Sequence, residues 1–127
     1  MQYMIMILII VGLATSDWLT GNIKAHVKND YKSSVMRTGL LHKASELLIM
    51  ITACGFEFGI EKLSQYYENS KIGEITGVIT AEFIFVYIVF MEIISIFENY
   101  AEMNPQATWA KKIIKKLRNS KENDKNE

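Results

Sequence analysis

The sequence predicts an all-α integral membrane protein with three transmembrane helices followed by a C-terminal basic amphipathic helix. Two observations indicate this class: the apolar residues are concentrated in three blocks, and each block has a stretch that is apolar all round rather than along one stripe. A bilayer core needs roughly 20 mainly apolar helical residues, and the blocks meet or approach that length. The chain has 127 residues with 14 Lys+Arg and 14 Asp+Glu. It is therefore one domain long and neutral, which gives no reason to expect nucleic acid as a partner.

The first predicted span covers about residues 1–19. From Tyr3 to Ala14 there is no acidic or basic side chain, and Asp17 with Trp18 closes the block. A cleaved signal peptide is an alternative, because Ala14 and Ser16 supply small residues for a cleavage site. A signal peptide begins with a positively charged region, and no Lys or Arg precedes this block, which favours an uncleaved first span.

The second and third predicted spans cover about residues 40–60 and 72–97. Leu47 to Ile51 and Phe83 to Met91 are apolar all round. A soluble helical bundle is the alternative, but a chain this small has too few surface helices to cover three such segments. Strands are not expected, because the blocks lack two-residue alternation and an open strand leaves its backbone unpaired in lipid.

The basic residues are distributed unevenly, which predicts an orientation under the positive-inside rule. Lys24, Lys28, Lys32 and Arg37 occupy the gap after the first block, whereas the second gap has two lysines and two glutamates. The chain after residue 104 carries seven basic residues, and none precedes the first block. We therefore expect the N-terminus outside the cell, with the first loop and the C-terminal tail in the cytoplasm.

Residues 1–104 form the predicted membrane domain, and residues 105–127 form a cytoplasmic segment. Asn104-Pro105 is typical of a helix start, and Trp109, Ile113 and Leu117 recur at four-residue spacing. The basic residues of this segment lie around the rest of the helix and are Lys111, Lys112, Lys115, Lys116 and Arg118. This pattern favours a helix lying on an anionic inner leaflet over a solvated charged tail, with disorder beyond Asn119.

The third block contains ionisable residues, which are costly at membrane depth and therefore face other helices or water. Glu74, Glu92, Ser95 and Asn99 share one helical face, and Glu82 lies about 80° from it. The predicted pore-lining or polar-interface residues are Glu74, Glu82, Glu92, Ser95, Glu98 and Asn99.

Small residues recur at four-residue spacing in the second and third blocks, which lets helix backbones approach closely in lipid. The predicted packing residues are Gly55, Gly59, Gly73, Gly77 and Ala81. Packing within one chain and packing between chains both remain open.

The sequence offers no catalytic constellation, so we expect a protein that is not an enzyme and that has no cofactor. His26 and His42 have no partners at metal-ligand spacing, and no metal site is expected. Cys54 is interpreted as a buried small residue in the apolar middle of a span.

Three segments resemble the toxin-secretion and phage-lysis holin family, which includes the holin-like protein of clostridial toxin loci. They are DWLTG at 17–21, SSVMRTGL at 33–40 leading to Lys43, and EIISIFEN at 92–99. The resemblance runs from about Leu8 to Pro105, with the ending of the third segment its most specific part. Glu57 stands where the family often carries Asp, and the family's Pro-rich ending is reduced to residues 103–105.

This resemblance implies a homo-oligomer in the bacterial cytoplasmic membrane that forms lesions or pores. An endolysin or a toxin would leave through them, and an antiholin is a further potential partner. The polar residues would line the hole, the small residues would seal neighbouring chains, and the polar faces would pair with one another before opening. The alternatives are an antiholin or membrane interaction protein, and a small ion channel or transporter subunit with Glu82 as its ion site.

Overall fold

The computed structural model describes residues 1–67 and 80–123, and these residues form four α-helices. They are α1 (Gln2–Val27), α2 (Ser33–Tyr67), α3 (Ala81–Met103) and α4 (Thr108–Asn123). The all-helical prediction is therefore confirmed for the described part of the chain. Residues 72–79, the first part of the predicted third span, lie outside it.

The turn between α1 and α2 is short and is formed by the backbone conformation and hydrogen bonds of the residues within it. Asn29 adopts a left-handed conformation with φ 52°, which Asn tolerates better than most residues. The backbone N–H of Asn29 then donates to His26 (3.2 Å) and that of Asp30 to Ala25 (3.0 Å). These bonds satisfy carbonyls at the end of α1, and the chain reverses so that α2 returns beside it.

The start of α3 is capped by two side chains. The hydroxyl of Thr80 accepts the N–H of Phe83 at 3.2 Å. The carboxylate of Glu57, on α2, accepts the N–H of Ala81 at 2.7 Å. Negative charge at a helix N-terminus is favourable, so Glu57 both caps α3 and ties it to α2.

The first three helices form an up-down-up bundle. α1 and α3 run in the same direction, since Asp17 and Lys28 on α1 meet Asn99 and Glu102 on α3 in that order. α2 runs opposite to both. α4 packs against α3.

The apolar core occupies one half of this bundle. Ile10, Met50, Cys54 and Ile88 are buried there against one another, together with Ala53 and Ala81. Charged and polar side chains occupy the other half, towards the α1–α2 turn. The bundle is thus divided along its length into an apolar half and a polar half.

The outer surface of the bundle exposes many large apolar side chains. Leu8 is 63% exposed, Leu48 64% and Phe83 74%. Within the described residues, α1 is the one helix that is both long and apolar enough to cross a membrane, and 11% of its apolar window is buried. A core helix of a soluble protein would be mostly buried, so the exposed surface of α1 fits lipid better than water.

The C-terminal helix differs from its prediction at both ends. It begins at Thr108, not at Pro105, because Asn104 terminates α3: its backbone N–H donates to Tyr100 at 3.0 Å. The predicted disorder beyond Asn119 is also wrong for residues 120–123, which continue the helix. Residues 124–127 lie outside the described part of the chain.

Candidate functional site

A cluster of charged side chains lies inside the bundle where α1, α2 and α3 meet. The ammonium of Lys43 on α2 lies 2.5 Å from Oε1 of Glu92 on α3 and 3.0 Å from Oδ2 of Asp17 on α1. It is also 3.6 Å from Oε2 of Glu46, one turn along its own helix. We call Asp17, Lys43, Glu46 and Glu92 the polar cluster.

The cluster is well shielded from its surroundings. The Glu92 side chain is fully buried, and 11% of Asp17 and 19% of Lys43 are exposed. Three carboxyl groups converge on a single ammonium, so the cluster is short of positive charge when all three are ionised. Oε2 of Glu46 and Oε2 of Glu92 are buried and have no hydrogen-bond partner among the described residues. The arrangement is therefore held by Lys43, since removing it would leave buried carboxylates without a cation.

Asn99 extends the cluster along the interface of α1 and α3. Its side-chain amide donates to Oδ1 of Asp17 at 3.1 Å and to the hydroxyl of Thr20 at 3.2 Å. Asp17 thus accepts from Lys43 with one oxygen and from Asn99 with the other. Gly21 lies beside Asn99: a Cβ added at Gly21 would stand at ordinary contact distance, 3.7 Å, from the amide nitrogen of Asn99.

A second charged contact closes the same end of the bundle. Lys28 donates to Oε2 of Glu102 at 2.6 Å, and Lys24 lies 3.5 Å from Oε1. The hydrogen bond from Lys28 holds the pKa of Glu102 below its ordinary value. This contact is about half-exposed, so it contributes less than the polar cluster to holding α1 against α3.

Between these two contacts lies a cleft of about 470 Å³, lined by residues of α1, α2 and α3 that include Ser95 and Asn99. Its lining carries lysines and carboxylates in nearly equal number. The structure thus places Ser95 beside Asn99, as the shared helical face predicts.

The other predicted polar residues fall elsewhere. Glu82 is exposed in the first turn of α3, and Glu98 forms an ion pair with Arg118 of α4. Glu74 lies outside the described residues. The structure therefore groups Glu92, Ser95 and Asn99 on the bundle interior and separates Glu82 and Glu98 from them.

The residues predicted to pack helices together differ in their surroundings. Ala81 is fully buried at the start of α3. Among the described residues, nothing lies within 4 Å of the position that a Cβ would take at Gly55 or Gly59. Gly73 and Gly77 lie outside the described residues.

Three members of the polar cluster were not singled out as site residues from the sequence: Asp17, Lys43 and Glu46. The ammonium of Lys43 lies 3.6 Å from Glu46, three residues along the same helix, but it lies closest to Glu92 on α3. A signal was present: Asp17 and Lys43 are equally far along the chain from Asp30. An antiparallel hairpin turning near Asp30 places them at the same level.

The sequence of the chain was compared with models of known protein families. The model described as the bacteriophage holin family matches residues 1–120. The chain belongs to this family. Searches of curated proteins and of solved structures each find no match.

Membership assigns a holin-type role in general and association with a membrane. In this holin-family chain, a charged cluster is enclosed by helices that expose large apolar side chains on the outside of the bundle. The cluster brings three acids and one lysine together, and its contacts join α1, α2 and α3.

Proposed function

We propose that the chain is a three-span holin that assembles in the cytoplasmic membrane into lesions through which an endolysin or a toxin leaves the cell. The observation that carries this proposal is the polar cluster, in which Asp17 and Glu92 meet Lys43 inside a bundle that exposes large apolar side chains. Family membership over residues 1–120 supports it.

The proposed topology places the N-terminus outside, with spans at about 1–19, 40–60 and 72–97 and a cytoplasmic segment at 105–127. The up-down-up order of α1, α2 and α3 supports it. Lys24, Lys28, Lys32 and Arg37 lie at the same end of the bundle as α4, and basic residues favour the cytoplasmic side. On this topology, the polar cluster lies near the cytoplasmic side of the hydrocarbon core.

Exposing the polar cluster to lipid would cost free energy. An ionised side chain at membrane depth costs about 3 kcal/mol on insertion scales. When the helices separate, Lys43 and Glu92 must therefore find water or partners on another chain. We propose that the paired cluster is the closed form and that its residues face water in the open assembly.

Three helices of one chain cannot enclose an opening wide enough for a folded enzyme, so the lesion requires several copies. In our proposal, Glu92, Ser95 and Asn99 line the opening with Asp17 and Lys43, and Glu74 continues that face. Gly55 and Gly59, where a Cβ would have no neighbour within 4 Å in the described part of the chain, receive a neighbouring helix.

Expression in a bacterial host with a cytoplasmic endolysin tests this function. We expect culture turbidity to fall when both proteins are present, and to persist when the endolysin is present alone. The control is a Lys43→Glu variant, which places four carboxyl groups together; the three helices should then fail to pack into a bundle, and turbidity should persist. No fall in turbidity with correctly inserted wild-type protein would contradict the proposal.

The same assay separates the alternatives. An antiholin would delay lysis by a second, lytic holin without causing lysis itself. A membrane interaction protein that acts through its tail would lose function when residues 105–127 are deleted, whereas a lesion-forming bundle would still permeabilise the membrane.

A further inference from the structure

α4 crosses α3 instead of running along it. At one end, Trp109 lies 6.1 Å from Phe97 and 5.4 Å from Tyr100 between ring centroids. Nine residues later, Arg118 forms an ion pair with Glu98. That interval corresponds to about 13 Å along α4, yet Phe97 and Glu98 are adjacent on α3. If α3 crosses the bilayer, α4 therefore lies close to the membrane plane.

The apolar face of α4 is already occupied. Ala110 is fully buried, and Ile113, Ile114 and Leu117 are half-buried against the rest of the chain. The ridge that includes Ile113 and Leu117 is therefore engaged within the chain and is not free to enter lipid.

The basic residues of α4 fall into two groups. Lys111 donates to the carbonyl of Pro105 at 3.2 Å, and Arg118 is paired with Glu98. Lys112, Lys115 and Lys116 are exposed, and they form no ion pair with any carboxylate whose side chain the structure describes. The available positive charge is thus concentrated on one side of the helix.

This side begins at an aromatic residue placed at the proposed membrane boundary. Trp109, Lys112 and Lys116 lie at i, i+3 and i+7, which places them along one edge of the helix. Trp109 is 50% exposed, and it contacts Phe97 where the third span is proposed to end. Tryptophan favours the headgroup region of a bilayer, and lysine extends its ammonium to phosphates there.

We propose that Trp109, Lys112, Lys115 and Lys116 form a binding surface for anionic phospholipid headgroups on the cytoplasmic leaflet. The surface rests on the proposed three-span topology and is independent of lesion formation. It holds α4 against the membrane through charge and one indole, while the apolar face of α4 stays on α3.

The test uses the full chain, inserted in nanodiscs, with Trp18→Phe so that Trp109 is the remaining tryptophan. Acrylamide quenching of Trp109 is compared between nanodiscs of phosphatidylcholine alone and nanodiscs that also contain phosphatidylglycerol. We expect the quenching constant to fall about twofold with the anionic lipid, because α4 is drawn onto the headgroups. High salt should abolish the difference.

Substitutions then identify the groups responsible. The triple change Lys112→Gln, Lys115→Gln and Lys116→Gln should abolish the lipid dependence, while the same three positions changed to Arg should preserve it. Lys62→Gln, at the other end of the bundle, is the control and should behave as the parent. Equal quenching of the parent in both lipids, or an unaltered response in the triple Gln variant, would overturn the proposal. Either result would leave the endolysin assay unaffected, so the two proposals fail separately.

Discussion

Lys43 and Glu92 are joined by a 2.5 Å contact that links the second helix to the third inside the bundle. Asp17 approaches the same ammonium at 3.0 Å from the first helix. One lysine thus holds all three helices together at the level where they are most polar. A buried ion pair adds little net stability compared with apolar packing, but breaking it by removing one partner is costly. Such a contact suits a bundle that, in our proposal, is closed in one state and open in another.

Replacing Glu92 with Gln should destabilise the closed bundle and advance the onset of lysis. The amide keeps the size of the side chain but removes one charge-assisted bond to Lys43, a loss of about 1.5–3 kcal/mol. The measurement is the time of turbidity loss after induction alongside an endolysin. Glu61→Gln, an exposed change of the same kind on α2, is the control and should not alter the onset. Identical onset times for both variants would count against a role for the cluster in opening.

Gly21 should tolerate alanine but not leucine. A Cβ at Gly21 lies at ordinary contact distance from Asn99, and alanine also favours a helix. Leucine would push the amide of Asn99 away from Asp17 and cost about 1–2 kcal/mol. Thermal unfolding followed by circular dichroism in detergent micelles measures this difference.

Gly12→Leu provides the matched control on the same helix, because a Cβ there has nothing within 4 Å. It should leave the unfolding temperature near that of the parent. If both leucine variants lose the same stability, the close approach of α1 to Asn99 is not what Gly21 provides.

The contact of Glu102 with Lys28 should contribute stability at neutral pH and lose it in acid. The pKa of Glu102 is lower in the folded chain than the ordinary glutamate value of about 4.3. The contribution of the contact to folding stability is therefore fully present at a pH above the ordinary pKa. It is lost as the pH falls through the lower pKa of the folded chain. The difference in unfolding temperature between the parent and Glu102→Gln should be small, salt-sensitive and confined to the higher pH. A difference that persists unchanged in acid would contradict this assignment.

The proposed orientation predicts which positions are reached from outside the cell. With Cys54 changed to Ser, a single cysteine at Gln2 should react with a membrane-impermeant maleimide on intact cells. Cysteines at Lys32 or Ser120 should react only after the membrane is opened. If the cysteines at positions 32 and 120 were labelled on intact cells and the cysteine at position 2 were not, the orientation would be the opposite one.

The sequence was sufficient to predict the helices and one face of the site. Unbroken apolar blocks dictate helices in lipid, and helical periodicity alone places Glu92, Ser95 and Asn99 together. It could not assign a partner to Lys43, because Glu46 on the same helix and Glu92 on another are both within reach of a long side chain. Contacts between helices depend on their rotation and register, and these are set by the packing of Ile10, Met50 and Ile88.

The end of α3 shows a second limit of prediction from the sequence. Asn104-Pro105 has the composition of a helix start, but Asn104 also serves to end the preceding helix, since its backbone N–H and its side-chain amide both donate to Tyr100. The two roles use the same residue type, and only the surrounding structure decides between them. The contact of Trp109 with Phe97 and Tyr100 likewise requires α4 to turn back on α3.

Release of contents from sealed lipid vesicles tests the central claim most directly. The purified chain is reconstituted into vesicles that contain both a small dye and a folded enzyme the size of an endolysin. A lesion-forming holin predicts that the dye and the enzyme both escape once the chain reaches a sufficient density in the membrane. Escape of ions or dye with complete retention of the enzyme at every density would contradict it and indicate a narrow channel.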